Sequence, residues 1–86
     1  MGKYDVLLRQ SVLKKDFGRI PKGDLRRIAD AIRSLSDNPR PAGVQKLSAQ
    51  ERYRVRQGDY RIIYLVQDAE HTVWVVKVGH RRDVYR

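Results

Sequence analysis

Two runs of alternating side chains, Arg52–Arg56 and Tyr60–Val66, constrain the fold more than anything else in the chain. Gln57-Gly58 separates them, and a third β-rich run, Thr72–Val78, follows closely. Alternation with period two puts successive side chains on opposite faces of a sheet. With Gln57-Gly58 as a two-residue turn, Arg56 lies opposite Asp59, Val55 opposite Tyr60, Arg54 opposite Arg61 and Tyr53 opposite Ile62. Tyr53, Val55, Tyr60, Ile62 and Tyr64 then share one face, and Arg52, Arg54, Arg56 and Arg61 the other. A slip of one residue would bury the arginines, so hydrophobicity selects the faces. A two-residue turn at Asp68-Ala69 sets Arg61 opposite Val76 and Ile63 opposite Trp74, and parity then puts His80 on the arginine face.

The remainder supplies a cover for the apolar face. Tyr4, Val6 and Leu8 alternate as a short strand, and a helical stripe of Val12, Leu13 and Phe17 follows. Pro21 opens a second helix with Leu25, Ile28, Ala29, Ile32 and Leu35 on one face, stopped by Asp37-Asn38-Pro39. Residues 38–49, with Pro39, Pro41 and Gly43, read as loop. The order β-α-α-β-β-β predicts an α+β, two-layer domain spanning residues 1–86: a helical hairpin packed on one face of a mainly antiparallel four-stranded sheet.

Eighty-six residues fit one domain, and 41% hydrophobic content argues against disorder. With no Cys, disulfides, Cys-ligated zinc and thiol nucleophiles are excluded, and two His residues make a poor metal site. No cofactor is expected. No apolar run reaches membrane-spanning length and the N-terminus lacks a signal-peptide core, so a cytoplasmic protein without membrane contact is expected. Nineteen Lys and Arg against ten Asp and Glu leave a net charge of +9, which favours a polyanionic partner, above all nucleic acid. The two halves, residues 1–50 and 51–86, both carry net positive charge, so the total does not locate a site. Arginines opposed across a ladder repel by a few tenths to about 1 kcal/mol, a cost that a bound phosphate would remove. Beside them Ile63, Leu65, Trp74 and Val76 form an apolar area suited to nucleobases or to a partner protein.

The run YRVRQGDYRIIYLV (53–66) and the closing VWVVKVGHRRDVYR (73–86), with Lys46-Leu47 upstream, resemble the RelE branch of the RelE/ParE toxin superfamily. The resemblance implies the toxin of a type II toxin–antitoxin system, a metal-independent endoribonuclease (mRNA interferase) that cleaves mRNA in the ribosomal A site. It also implies a cognate RelB-like antitoxin, and contact with operator DNA only through the toxin–antitoxin complex. By the same resemblance Arg54 and Arg56 take the basic positions ahead of GDYR, where well-known members carry Lys. Arg61 is the Arg of that motif, Arg81 the Arg after Val78-Gly79, and Tyr85 the near-terminal aromatic; His80 stands where several members have Lys.

Metal-free RNA cleavage needs a base for the 2′-hydroxyl, a stabiliser for the phosphorane and an acid for the 5′-oxygen. Arg61 and Arg81 suit the second role, because a guanidinium bridges two phosphate oxygens. Arginine is a poor base, so His80 is the candidate for proton transfer, with Tyr85, Arg54 or the ribosome as its complement. Arg52, Arg56, Arg82 and Arg86 are expected RNA contacts, and Lys14, Lys15, Arg26, Arg27 and Arg33 are expected on rRNA backbone. His71 reads as exposed and without a role. Two alternatives remain open: a ParE-like, non-enzymatic inhibitor of DNA gyrase, and a plain nucleic-acid-binding module.

Overall fold

The structure, a computed structural model, describes residues 3–48 and 50–84. It has β1 (Asp5–Leu8), a π-type helical segment (Val12–Asp16), a 3₁₀ turn (Phe17–Arg19), α1 (Lys22–Ser34), β2 (Gln45–Ser48), β3 (Arg52–Gln57), β4 (Tyr60–Gln67) and β5 (Thr72–His80). The five strands form one sheet in the order β1-β5-β4-β3-β2. β1 runs parallel to β5, and the other neighbours are antiparallel. The α+β layering matches expectation, but the sheet has five strands rather than four. The added strand, β2, lies in what reads as loop: Gln45 and Lys46 pair with Arg54 and Tyr53. A polar tetrapeptide behind two prolines carries little strand signal of its own, and the open edge of β3 supplies the pairing.

The helical layer follows the apolar stripe. α1 starts after Pro21, whose carbonyl accepts the Leu25 amide at 2.9 Å. Asp24 in its first turn and Arg33 in its last complement the helix dipole. Ile28, Ile32 and Leu35 are buried against Tyr53, Ile62, Tyr64, Val66, Val73, Val75 and Val78. Val6 and Leu8 pack on the same cluster, as their alternation predicts. Ser36 joins the end of α1 to the chain before β1, its hydroxyl donating to the Tyr4 carbonyl at 2.7 Å. The Tyr64 hydroxyl, deep in this core, donates to the Pro39 carbonyl at 2.6 Å, and burial raises its pKa.

The turn of the β3–β4 hairpin is Gly58-Asp59, not Gln57-Gly58. Gly58 has φ +60° and occupies the first central position, where a II′ hairpin turn calls for Gly. Opposed pairs therefore shift by two residues: Arg56 faces Arg61, Arg54 faces Ile63 and Tyr53 faces Tyr64. An even shift preserves the faces, so the four arginines still share one. The β4–β5 connection is also longer than expected, a 3₁₀ turn at Asp68–Glu70 followed by His71 at φ +50°. β5 then carries a bulge: Ile63 pairs with Lys77 and Tyr64 with Val75, leaving Val76 as the extra residue. A bulge reverses face parity beyond it.

Candidate functional site at one end of the sheet

The bulge decides where the sequence-predicted residues go. Beyond Val76, Arg61 pairs with Gly79, and His80 pairs with Tyr60. His80 thus takes the Tyr60 side of the sheet, and its ring meets the Tyr60 ring edge-on at 5.6 Å. The expectation that His80 lies on the arginine face is overturned. Nothing in Val75-Val76-Lys77 marks the extra residue, so simple alternation carries the error forward.

Arg56 and Arg61 form the like-charged pair, in place of Arg54 and Arg61. They form the next-to-last rung before the Gly58-Asp59 turn, with Arg56 exposed and Arg61 half-buried. The Arg61 Nη1 donates to the Gly58 and Tyr60 carbonyls at 3.1 and 3.0 Å, which holds the guanidinium beside the turn. Arg54 sits one rung further along, half-buried, and its Nη2 donates to the Gln45 Oε1 of β2. Arg52 is exposed at the far end of β3. Lys77, opposite Ile63, joins the arginine face and was not anticipated; only the bulge turns it there.

After β5 the chain folds back onto the same end. The Arg81 amide donates to the Asp59 carbonyl at 2.8 Å, and the Asp83 and Val84 amides to the His80 carbonyl at 2.8 and 3.0 Å. Val84 is buried with Ile63 and Val76, and its Cα lies 3.5 Å from where a Cβ on Gly79 would stand. Arg81 and Arg82 are exposed in this turn, next to the β3–β4 hairpin end. Tyr85 and Arg86 lie outside the described residues. Arg56, Arg61, His80 and Arg81 are therefore gathered within two rungs of one sheet end, while Arg52 and Arg54 lie further off.

His80 has a defined hydrogen-bonding state. Its Nδ1 accepts the Arg82 amide at 3.2 Å, so the proton of the neutral ring sits on Nε2. In that arrangement Nε2 is the side of the ring left to donate, and Nδ1 accepts a proton only after releasing the Arg82 amide. Beside it runs a cleft of about 340 Å³ lined by Asp16, Arg19, Tyr60, Lys77, His80 and Asp83 among others. Asp16 is fixed there because its Oδ2 accepts the Val78 amide at 3.0 Å, serving the open edge of β5 beyond the end of β1. Among the described residues no cluster of His, Asp and Glu suited to a metal ion is present, and no helix is long and apolar enough to cross a membrane.

The opposite end of the β3–β4 hairpin is held differently. Arg40 donates through Nη2 to Asp68 Oδ2 and to Glu51 Oε1, both at 2.7 Å, and through Nε to the Tyr53 hydroxyl at 2.9 Å. Lys46 pairs with Glu51 at 2.8 Å, and the Tyr4 hydroxyl donates to Asp68 at 2.6 Å. Lys46, then the Tyr53 hydroxyl and Arg40, hold the Glu51 carboxyl down at about 2. Arg40, then Tyr4, does the same for Asp68, also to about 2. His71 is exposed, as expected, and stacks on Tyr4 at 5.7 Å beside this cluster.

Comparison with known proteins agrees with this architecture. Residues 10–85 match the family described as the ParE toxin of the type II toxin-antitoxin system, parDE. The putative toxin RelE1 of Methanocaldococcus jannaschii is 30% identical over 98% of this chain and 97% of its own. Toxin RelG of Mycobacterium tuberculosis is 29% identical over 85% and 86%. The archaeal RelE–RelB complex of Pyrococcus horikoshii contains a chain that superposes with TM-score 0.80 at 26% identity, covering 95% of this chain and 99% of that one. With most of its length inside that family and a RelE relative matched almost end to end, this chain belongs to the RelE/ParE superfamily, as a RelE-type toxin of a type II toxin–antitoxin system.

Proposed function

We propose that this toxin is a metal-independent, ribosome-dependent endoribonuclease that cuts mRNA in the A site. The observation that carries the reading is the opposed Arg56–Arg61 pair at the sheet end onto which the His80-Arg81 turn folds. Two arginines directly opposed across a ladder repel, which folding by itself does not favour. A phosphorane, with its extra negative charge, rewards that arrangement most in the transition state, as differential stabilisation requires. In this scheme the 2′-oxygen attacks the adjacent phosphorus, a 2′,3′-cyclic phosphate forms, and the 5′-oxygen leaves with a proton. Arg61 and Arg81 clamp the non-bridging oxygens, and Arg56, rather than Arg54, stands beside them. His80 reaches the rim from the other face and offers Nε2–H to a phosphate or leaving oxygen. Tyr85 completes the set by resemblance alone, with Arg54, Arg52, Arg82 and Arg86 along the RNA backbone. None of the arginines is a base, so the 2′-hydroxyl proton goes to His80 after it releases Arg82, or to a group of the ribosome.

The superposed archaeal RelE is in complex with RelB. By that kinship the partner that silences this toxin is a RelB-like antitoxin. Cytoplasmic action follows from the ribosomal target, and operator DNA is reached only through the complex.

A second reading has its own support, because the matching family carries the ParE name. It makes the protein an inhibitor of DNA gyrase without ribonuclease activity. Inducing the toxin and mapping transcript ends with and without a translation block separates the two. Cuts within codons that vanish when translation stops support the ribonuclease. Growth arrest with DNA damage and intact transcripts would sink it in favour of the second.

A further inference from the structure

The sheet face that bears the arginines is not uniformly basic. One rung crosses it as Arg52, Leu65, Trp74 and Leu7, on four successive strands. Leu65 and Trp74 are half-buried over Ile63, Val76 and Val84, while Leu7 is 42% exposed. The next rung runs Arg54, Ile63, Lys77, and the one after it Arg56, Arg61, Gly79. Rungs on one face are spaced by two residues, so Leu65 stands about 13 Å along β4 from the Arg61 position.

Building on the ribonuclease reading, we propose that Trp74, with Leu65 and Leu7 beside it, is a stacking platform for a nucleobase flanking the scissile linkage. The reason lies in how charge and flat apolar surface alternate. Single-stranded RNA offers phosphates at regular intervals with unstacked bases between them, and proteins that bind it set aromatic rings beside a basic track. Here the indole lies in a rung that begins with one guanidinium, Arg52, and adjoins a rung with two more cations, Arg54 and Lys77. The apolar area runs on through Ile63 and Val76 under Val84, with cations on its Arg54–Lys77 side and Gln67, Thr72 and Asp5 on the other. Stacking rather than edge hydrogen bonding makes this a contact that tolerates any base and favours purines by area.

Trp74 is the sole tryptophan, so its emission reports on the platform directly. The test titrates the whole toxin with a short, uncleavable 2′-O-methyl RNA and, separately, with inorganic polyphosphate. Trp74→Leu keeps apolar cover over Ile63 and Val76, and Trp74→Phe restores a ring; circular dichroism checks that both are folded. The proposal expects RNA, and not polyphosphate, to quench the indole. It expects Trp74→Leu to lose about 5- to 100-fold in RNA affinity, with recovery in Trp74→Phe and no change toward polyphosphate. Salt-dependent RNA binding without quenching, and equal in Trp74→Leu, would overturn the platform and leave the ribonuclease reading intact. The platform fails equally if indole emission responds only to a partner polypeptide, or if ribosomal cleavage persists without any RNA binding at this face. Loss of both binding and cleavage in the wild-type protein would remove both readings.

Discussion

The two ends of the β3–β4 hairpin treat the same side chain in opposite ways. At one end Arg40 is enclosed by Asp68, Glu51 and Tyr53, and its ring-face contact with Tyr53 lies 5.2 Å from the centroid. At the other, Arg56 lies across the ladder from Arg61, and hydrogen bonds to the Gly58 and Tyr60 carbonyls hold the Arg61 guanidinium beside the turn. The first arrangement fastens four chain segments: the entry to β1, the loop after α1, the β2–β3 turn and the β4–β5 turn. The second contributes little to fastening and concentrates positive charge where the chain turns back at Arg81. An ion-pair cluster ties the segments of the first end together; a row of arginines on one sheet face leads to the second, where the proposed site lies.

Breaking the working end gives the largest expected effect. Arg61→Ala should lower the rate of ribosome-bound mRNA cleavage by about 10²- to 10³-fold, by analogy with loss of one oxyanion-stabilising donor. Arg61→Lys should recover only part of it, since an ammonium cannot bridge two oxygens. Arg56→Ala relieves a like-charge repulsion of a few tenths to about 1 kcal/mol, so its urea midpoint should stay level or rise. Arg61→Ala also gives up the bonds to the Gly58 and Tyr60 carbonyls, so its midpoint should fall relative to that of Arg56→Ala.

His80 sharpens the contrast. If it acts as a neutral N–H donor, His80→Gln should retain cleavage within about tenfold of wild type while His80→Ala loses about 10²-fold. Equal loss in both variants, with the acidic limb of the pH–rate profile removed, would instead make it the proton carrier.

The scaffold end should respond in stability and pH, not in rate per folded molecule. Glu51 and Asp68 are held at about 2, below their ordinary values of 4.5 and 3.8. Depressed carboxyl groups stabilise the fold above their unfolded values and lose that contribution as pH falls toward 2. Thermal melts should therefore show a falling midpoint from about pH 5 down to about pH 2. Arg40→Ala should lower the midpoint at neutral pH and flatten this acid limb.

The smallest effect belongs to Arg52, the exposed cation furthest from the turn on β3. Arg52→Ala should reduce the salt dependence of RNA binding by about one phosphate contact and leave the cleavage rate on saturated ribosomes near wild type.

Much of this division is legible in residue order. Alternation in β3 and β4 assigns the faces, and the stripe Ile28, Ile32, Leu35 assigns the helix that covers one of them. What alternation does not carry is where pairing slips. The II′ preference for Gly58 at the first turn position moves the arginine pair from Arg54–Arg61 to Arg56–Arg61. That signal is present in the Gly-Asp dipeptide and is readable once turn chemistry is weighed above symmetry. The Val76 bulge, which carries His80 to the other face and Lys77 onto the arginine face, has no local mark in a run of valines. β2 pairs with its immediate neighbour β3, but its polar residues carry little strand signal; the Arg40 cluster depends on contacts between segments distant in sequence, so no window of the chain contains it.

One measurement reaches the centre of this account: single-turnover cleavage of mRNA on purified, programmed ribosomes by wild type and Arg61→Ala, without added catalytic metal beyond what ribosomes require. The account predicts a single cut in the A-site codon bearing a 2′,3′-cyclic phosphate, slowed at least about 10²-fold in the variant when rates are compared per folded molecule. Intact mRNA with the wild-type toxin, or cleavage equally fast with Arg61→Ala, would contradict it.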